Sequence, residues 1–163
     1  IFKFGLIFLV SGLSTLIKTV TAFTISHSIT LGLSVFEVVK LPQSTAEALI
    51  ALTLIYLAIE VSSNLKYKSI PWLIAFGFGL LHGFGFAGAL SEIGFSSENL
   101  LFSLLFFNLG IEVGQLLMLP LFGLIIWCFR KVKIEKISYQ LSSYFIGGMG
   151  SFWLIDRLIK III

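Results

Sequence analysis

Charged side chains are scarce in this sequence, and their scarcity excludes a large class of proteins. Lys, Arg, Asp and Glu form 12% of the 163 residues, against about 25% in an average soluble domain. Hydrophobic residues form 58%, and the mean hydropathy is +1.07. So few polar groups could not cover a water-soluble domain of this size. The composition therefore predicts an integral membrane protein whose main partner is the lipid bilayer.

Cysteine is almost absent as well. The single cysteine, Cys128, excludes an internal disulfide and a cysteine-based zinc or iron–sulfur site. Any metal would therefore bind histidine, carboxylate or amide groups. The net charge of +3 does not indicate nucleic acid as a partner. The basic residues stand in short runs between apolar stretches, which is typical of topology signals in membrane proteins.

The apolar stretches predict an all-α, polytopic membrane protein with one transmembrane domain over residues 1–163. Runs of about 17 to 25 residues are long enough for a helix to cross a bilayer, whereas barrel strands would alternate apolar and polar residues. We expect a bundle of six transmembrane helices, at about residues 1–17, 20–39, 45–63, 70–91, 99–128 and 139–159. Because Ile1 already lies inside an apolar run, we also expect that the chain lacks an upstream N-terminal segment.

The basic residues favour one orientation of this bundle. Four of them fall at one end, namely Lys3, Lys40, Arg157 and Lys160. Seven fall at the other end, namely Lys18, Lys66, Lys68, Arg130, Lys131, Lys133 and Lys136. Short loops rich in Lys and Arg stay in the cytoplasm. The end with seven is therefore predicted to be cytoplasmic, and both termini of the chain are predicted to lie outside.

Four ionisable residues lie inside the predicted spans, where lipid makes them costly. They are His27, Glu60, His82 and Glu112, and such residues are candidates for a functional site. On the fifth predicted span, Asn108, Glu112 and Gln115 share one helical face through their spacing of four and three residues. The sequence therefore predicts a line of three oxygen donors on one face of that span.

Glycines surround His82 in the fourth predicted span, and Gly110 and Gly114 flank Glu112 in the fifth. Small residues let neighbouring helices approach closely in a membrane. We therefore expect the fourth and fifth predicted helices to be packed tightly against each other.

Each candidate also has a purely structural interpretation. Either histidine could hydrogen-bond a hydroxyl or a backbone carbonyl of the next helix. Glu60 lies close to Lys66 and Lys68 and could form an ion pair at the membrane surface. The sequence leaves these alternatives open.

Three segments stand out as ordered motifs: FTISHSITL at 23–31, FGFGLLHGFGFAGAL at 76–90 and FNLGIEVGQL at 107–116. They resemble signature segments of the HupE/UreJ family of bacterial membrane proteins. The resemblance implies a protein of the bacterial inner membrane, accessory to hydrogenase or urease, that acts as a nickel permease. It also implies a metal site formed by His27, His82, Asn108, Glu112, Gln115 and Glu60. The family usually has an H-x-x-x-G-x-D-H segment just upstream, which this chain does not contain.

Three functions are compatible with such a site. The first is transport of a divalent transition metal, with nickel as the expected substrate and Zn²⁺, Co²⁺ or Fe²⁺ also suited to imidazole and carboxylate ligands. The second is an intramembrane hydrolase that uses a zinc-bound water. The third is a b-type haem protein with His27 and His82 as axial ligands. Transport is preferred on the family resemblance, and a homo-oligomer is compatible with the sequence.

Overall fold

The computed structural model describes residues 12–63, 70–93, 100–131 and 135–163. This part of the chain holds five α-helices and no β-strand: α1 (Leu13–Val35), α2 (Gln43–Ser63), α3 (Pro71–Ile93), α4 (Leu100–Lys131) and α5 (Glu135–Ile162). The prediction of an all-α protein is therefore confirmed. Most of the first predicted span, residues 1–11, lies outside the described residues.

The first described helix begins earlier than the predicted span at 20–39. α1 starts at Leu13, directly after Gly12, whose φ of 94° is a backbone conformation that glycine adopts readily. Lys18, taken from the sequence as a boundary, lies inside the helix with an exposed side chain. A lysine near a helix end can extend its ammonium group to the membrane surface while its stem stays in lipid. The start of α1 is therefore marked by Gly12 and not by the charge of Lys18.

The glycines of α3 pack against α1. A Cβ atom at Gly79 would meet the Ser26 hydroxyl and the Phe23 carbonyl, and one at Gly83 would meet the Thr30 hydroxyl. The Ser26 hydroxyl donates to the Phe23 carbonyl at 3.0 Å, and the Thr30 hydroxyl lies 3.2 Å from the Ser26 carbonyl. Because both hydroxyls fold back onto their own helix, α1 presents a smooth face to the glycines.

The expected tight packing of the fourth and fifth predicted helices, here α3 and α4, is therefore wrong for the described residues. Gly85 of α3 faces the Ile50 side chain of α2, while Gly110 and Gly114 of α4 have no heavy atom within 4 Å of an added Cβ. Glycines permit close approach to a neighbour but do not specify which neighbour it is.

Two further contacts complete the bundle. α2 packs along α5, and it also touches α3. A buried cluster of Phe23, Leu54, Leu57, Ala58, Ala75 and Ile146 joins α1, α2, α3 and α5. α4 is attached mainly through Leu104, which is buried against Leu31 of α1. Four helices therefore share one core, and α4 lies at its edge.

One packed pair of helices is parallel and the others are antiparallel. α1 and α3 are parallel, because Gly79 lies at the level of Phe23 and Gly83 at that of Leu31. α1 with α4 and α2 with α5 are antiparallel, as shown by the contacts Ser28–Asn108, Leu31–Leu104, Leu54–Gly150 and Glu47–Arg157. α2 and α3 are also antiparallel, as shown by the contacts Ile50–Gly85 and Tyr56–Phe78. The start of α1 and the ends of α2 and α4 therefore lie at one end of the bundle.

Ion pairs join α2 to α5 at the opposite end. Arg157 lies 2.6 Å from the Glu47 carboxylate and 3.1 Å from that of Asp156. Gln43 donates to Glu47 at 2.9 Å and to the Gly85 carbonyl of α3 at 2.8 Å. These contacts tie α2 to both of its neighbours at the end predicted to lie outside.

Hydropathy identifies two of the described helices as long and apolar enough to cross a membrane. They are the segments Ser14–Val35 and Gln43–Ser62. Shorter apolar segments lie in α3 and α4, at Pro71–Phe86 and Phe102–Gly114. α4 also exposes Phe106 by 65% and Leu117 by 70%, as is usual for surfaces that face lipid. The arrangement of six spans stays a prediction.

Substitution of Gly83 by alanine should destabilise the bundle. The new Cβ would lie too close to the His27 carbonyl oxygen and the Leu31 amide nitrogen, which are backbone atoms and cannot rotate away. We expect Gly83→Ala to lower the free energy of unfolding in detergent micelles by about 1–3 kcal/mol. The matched control is Gly77→Ala, where the added atom has open space. It should raise that free energy by about 0.5–1 kcal/mol through better helix propensity. Equal effects of the two variants would contradict the packing.

The predicted orientation can be tested by labelling cysteines in intact cells. In a Cys128→Ala background, Ile163→Cys and Lys131→Cys place one thiol at each end of the bundle, both at exposed positions. A membrane-impermeant maleimide should label Ile163→Cys and should label Lys131→Cys only after the cells are lysed, because the basic end is predicted to face the cytoplasm. The reverse pattern would show that the bundle is inverted.

Candidate metal-binding site

The two histidines come together around one phenylalanine. His27 of α1 is 2% exposed and stacks on Phe23, one turn earlier, with ring centroids 5.9 Å apart and an angle of 11° between the planes. His82 of α3 is 7% exposed and meets the same ring edge-on, with centroids 5.3 Å apart. Both predicted imidazoles therefore contact Phe23 in the buried space between α1 and α3.

One hydrogen bond determines the tautomer of His82. Its Nδ1 lies 2.8 Å from the Phe78 carbonyl oxygen. A carbonyl can only accept, so Nδ1 carries the proton and donates it. The neutral imidazole then has its lone pair on Nε2, the nitrogen that can bind a metal. Such a bond from the opposite ring nitrogen is the usual way in which proteins orient a histidine ligand.

The close approach of α1 and α3 sets how far apart these imidazoles lie. Gly79 is three residues before His82 and Gly83 directly follows it. Both glycines contact the backbone of α1, Gly79 at Phe23 and Gly83 at His27. The same contact that holds the two helices together therefore brings the two histidines to one level.

Phe86 connects this pair to α4. Its ring meets His27 at 5.4 Å between centroids and Phe107 of α4 at 6.3 Å. Phe86 is 43% exposed, whereas Phe23 is 5% exposed. His27 thus lies between one deeply buried ring and one ring at the surface of the described bundle.

Asn108 is bonded to Ser28, the residue that follows His27 in α1. The Ser28 hydroxyl lies 2.9 Å from the Asn108 Oδ1 and 2.7 Å from the Thr24 carbonyl. Its single proton can be donated to only one of them at a time. The Asn108 amide nitrogen donates to the Leu104 carbonyl at 3.0 Å. Asn108, predicted as a metal ligand, thus also joins α4 to α1 next to His27.

Glu112 lies one turn beyond Asn108 on α4 and is half-buried. Four residues of helix correspond to about 6 Å along the axis. Because α4 runs antiparallel to α1, Glu112 is placed near the level of Thr24, one turn from Ser28. The backbone of Gln115 belongs to α4, but its side chain lies outside the described part of the protein.

Glu60 is separated from the histidines along the bundle. It is 9% exposed and lies near the end of α2. Tyr56 and Phe78 mark a common level of α2 and α3, since their rings meet at 5.6 Å. Glu60 and His82 each lie one turn beyond that level in opposite directions, which amounts to about 12 Å along the axis. Glu60 is therefore not brought into a group with the imidazoles.

The predicted ligands are not assembled into one site in this conformation. Across residues 12–63, 70–93, 100–131 and 135–163, no group of three or more His, Cys, Asp and Glu side chains is close enough to hold a metal ion. Two imidazoles contact Phe23, the Asn108 amide is bonded to Ser28, and no carboxylate joins the imidazoles in such a group.

Sequence reasoning missed Phe23, Phe86 and Ser28. A signal for the two aromatic residues was present, because Phe23 precedes His27 by four residues and Phe86 follows His82 by four. Residues four apart share a helix face. Each histidine therefore has an aromatic neighbour that the spacing could have predicted.

The model of the HupE/UreJ family, described as HupE / UreJ protein, matches residues 1–157. The chain belongs to the HupE/UreJ family. The resemblance seen in the sequence is thereby confirmed over nearly the whole chain. Membership implies a membrane protein with an accessory or transport role for nickel or cobalt. Comparison with curated proteins and with solved structures gives no significant match.

The bond between Ser28 and Asn108 in this HupE/UreJ protein should be measurable as a coupling energy. In a double-mutant cycle of Ser28→Ala and Asn108→Ala, we expect about 0.6 kcal/mol, and at most about 1.7 kcal/mol, in the free energy of unfolding in micelles. The control cycle pairs Asn108→Ala with Ser34→Ala, which lies about 9 Å further along α1. Its coupling should be near zero. Equal coupling in the two cycles would contradict the bond.

Proposed function

We propose that this protein carries a divalent transition-metal ion of the nickel type across the bacterial inner membrane. His27 and His82 are the imidazole ligands, and Glu112 supplies a carboxylate. The observation that carries the proposal is that two buried imidazoles, from two different helices, contact the same Phe23 ring inside an apolar bundle. Burying two such groups is costly, and a function that needs both accounts for the cost.

The chemistry of these groups suits the substrate. Imidazole nitrogen with carboxylate or amide oxygen binds Ni²⁺, Co²⁺, Zn²⁺ and Fe²⁺. A dication also offsets the charge of a half-buried carboxylate such as Glu112. The tautomer of His82 supports this role, because the bond from Nδ1 to Phe78 leaves the lone pair on Nε2.

Transport requires the ligands to come together in one state and to separate in another. The arrangement of the helices supports such a cycle. α1 and α3 are in backbone contact and hold the imidazoles, whereas α4, which bears Glu112, has few contacts with the rest of the bundle. A shift of α4 can bring Glu112 to the imidazoles, and Asn108 and Gln115 then complete the coordination.

Glu60 serves a later step in this proposal. It is buried near the end of α2 that is predicted to be cytoplasmic, about 12 Å along the bundle from His82. That distance is too large for a shared ion but suits a second position on the path. Glu60 therefore passes the ion or a proton to the cytoplasm.

The two alternative functions fit the geometry less well. A bis-histidine haem needs space for a porphyrin between its ligands, but α1 and α3 touch through their backbones on both sides of His82. A zinc hydrolase needs three protein ligands held on one ion throughout the reaction. A carrier can assemble its ligands in one state of its cycle, so transport fits the separated carboxylates better.

The proposal is tested by uptake of Ni²⁺ into proteoliposomes that contain the full chain. His82→Ala and Glu112→Gln should each reduce the uptake rate about tenfold or more, because each removes a ligand. The matched control is Glu37→Gln, which removes a carboxylate that is exposed and paired with Lys40 at 2.9 Å. It should leave uptake unchanged. Wild-type rates in both ligand variants, with helicity intact by circular dichroism, would exclude the site.

A further inference from the structure

We propose that Phe23 is the gate of the metal site, a ring that must rotate away before His27 and His82 can bind the same ion. This inference rests on the proposed function. Phe23 stacks on His27 at 5.9 Å and meets His82 at 5.3 Å, and all three residues are less than a tenth exposed. In this proposal, the ring that packs against both imidazoles fills the space in which they would share an ion.

A shared ion requires the two imidazoles to approach each other closely. Transition metals bind imidazole nitrogen at about 2.0–2.1 Å, so two imidazoles on one ion must direct their lone pairs into a common point. In the described conformation an apolar ring that offers no lone pair lies against both imidazoles. Phe23 therefore keeps the site closed, and the ion enters only when its ring is displaced.

Displacement has to be a movement of the side chain alone. The Phe23 carbonyl accepts a hydrogen bond from the Ser26 hydroxyl at 3.0 Å and is in close contact with the Cα position of Gly79. The backbone is thus held at the tightest point between α1 and α3. A change of side-chain rotamer can move the ring without breaking these contacts.

The ring is held in its closed position by the core. It packs in the buried cluster with Leu54, Leu57, Ala58 and Ala75. Interiors are densely packed, so a second position for the ring exists only when its neighbours shift. The open state is therefore the minor one. When only a fraction of molecules is competent to bind, the apparent Kd exceeds the intrinsic Kd by the inverse of that fraction.

This relation predicts that a smaller side chain at position 23 increases metal affinity. If Phe23 were only structural, the same change would leave the affinity unchanged or lower it. Phe23→Ala removes the ring, and Phe23→Leu retains most of the apolar volume but not the flat ring. If the open fraction is about one tenth, Phe23→Ala should bind about tenfold more tightly. Phe23→Leu should show a smaller gain in the same direction.

Phe86 offers a matched control on the other side of His27. Its ring meets His27 at 5.4 Å and packs on Phe107, at the more exposed edge of the site. Phe86→Leu also removes an aromatic neighbour of His27, but not the ring that contacts both imidazoles. Its affinity for metal should stay at the wild-type value.

The experiment is isothermal titration of Ni²⁺ into the full chain in detergent. The variants are Phe23→Ala, Phe23→Leu, Phe86→Leu and His82→Ala, with His82→Ala also combined with each Phe23 variant. Visible absorption of Co²⁺ provides a second readout, because the bands report how many nitrogen ligands the ion has. The Phe23 variants should bind more tightly, and His82→Ala should abolish that gain. If Phe23→Ala has lost its helicity, Phe23→Leu decides the test.

The outcomes distinguish a failure of the proposed gate from a failure of the proposed metal site. If the Phe23 variants bind no more tightly than wild type while His82→Ala weakens binding, the gate is excluded and the proposed function stands. An equal gain in Phe86→Leu would also exclude the gate, because any aromatic neighbour would then act alike. If His82→Ala changes binding in no background, the metal site itself is excluded.

Discussion

The backbone contact between α1 and α3 is the constraint on which the rest of this bundle depends. Lipid supplies no hydrophobic drive for one helix to bind another, so close packing and weak polar contacts must do so. Gly79 and Gly83 provide that approach, and Ser26 and Thr30 keep the opposing face smooth. His82 lies between the two glycines. The contact that stabilises the pair therefore also sets the geometry of the candidate site.

Of the remaining helices, α2 and α5 are firmly attached to each other, and α4 is loosely attached. α2 and α5 are joined along their length, from the Ser143 hydroxyl that donates to the Ala58 carbonyl at 2.7 Å to the ion pair of Arg157 with Glu47. Among the described residues, α4 contacts α1 at only a few points. An element with few buried contacts moves at low cost. In a carrier, α1 and α3 would hold the imidazoles in place. The more loosely attached α4 would bring its carboxylate to them for binding and withdraw it for release.

Residue type was a better guide to the site than residue spacing. Spacing along one helix face singled out Asn108, whose side chain is bonded to Ser28, the residue after His27. The cost of ionisable groups in lipid singled out His27 and His82, which both contact the Phe23 ring. The same cost singled out Glu60, but its carboxylate lies at another level of the bundle. The cost of a charge in lipid does not determine which side chains converge. The glycines predicted close packing but the wrong partner. The spacing of the glycines describes the surface of their own helix. The partner depends on which neighbouring helix has a surface that fits them.

The sequence by itself determined the all-α class, the HupE/UreJ family and the few polar residues that a bilayer would not tolerate without a function, because composition and local spacing act within a single segment. Only the tertiary structure decided that α3 packs on α1, that the Phe23 ring meets both imidazoles and that the Asn108 amide is bonded to Ser28. These contacts depend on how each helix is rotated about its axis and which neighbour it meets. Both are set by packing between residues far apart in the chain.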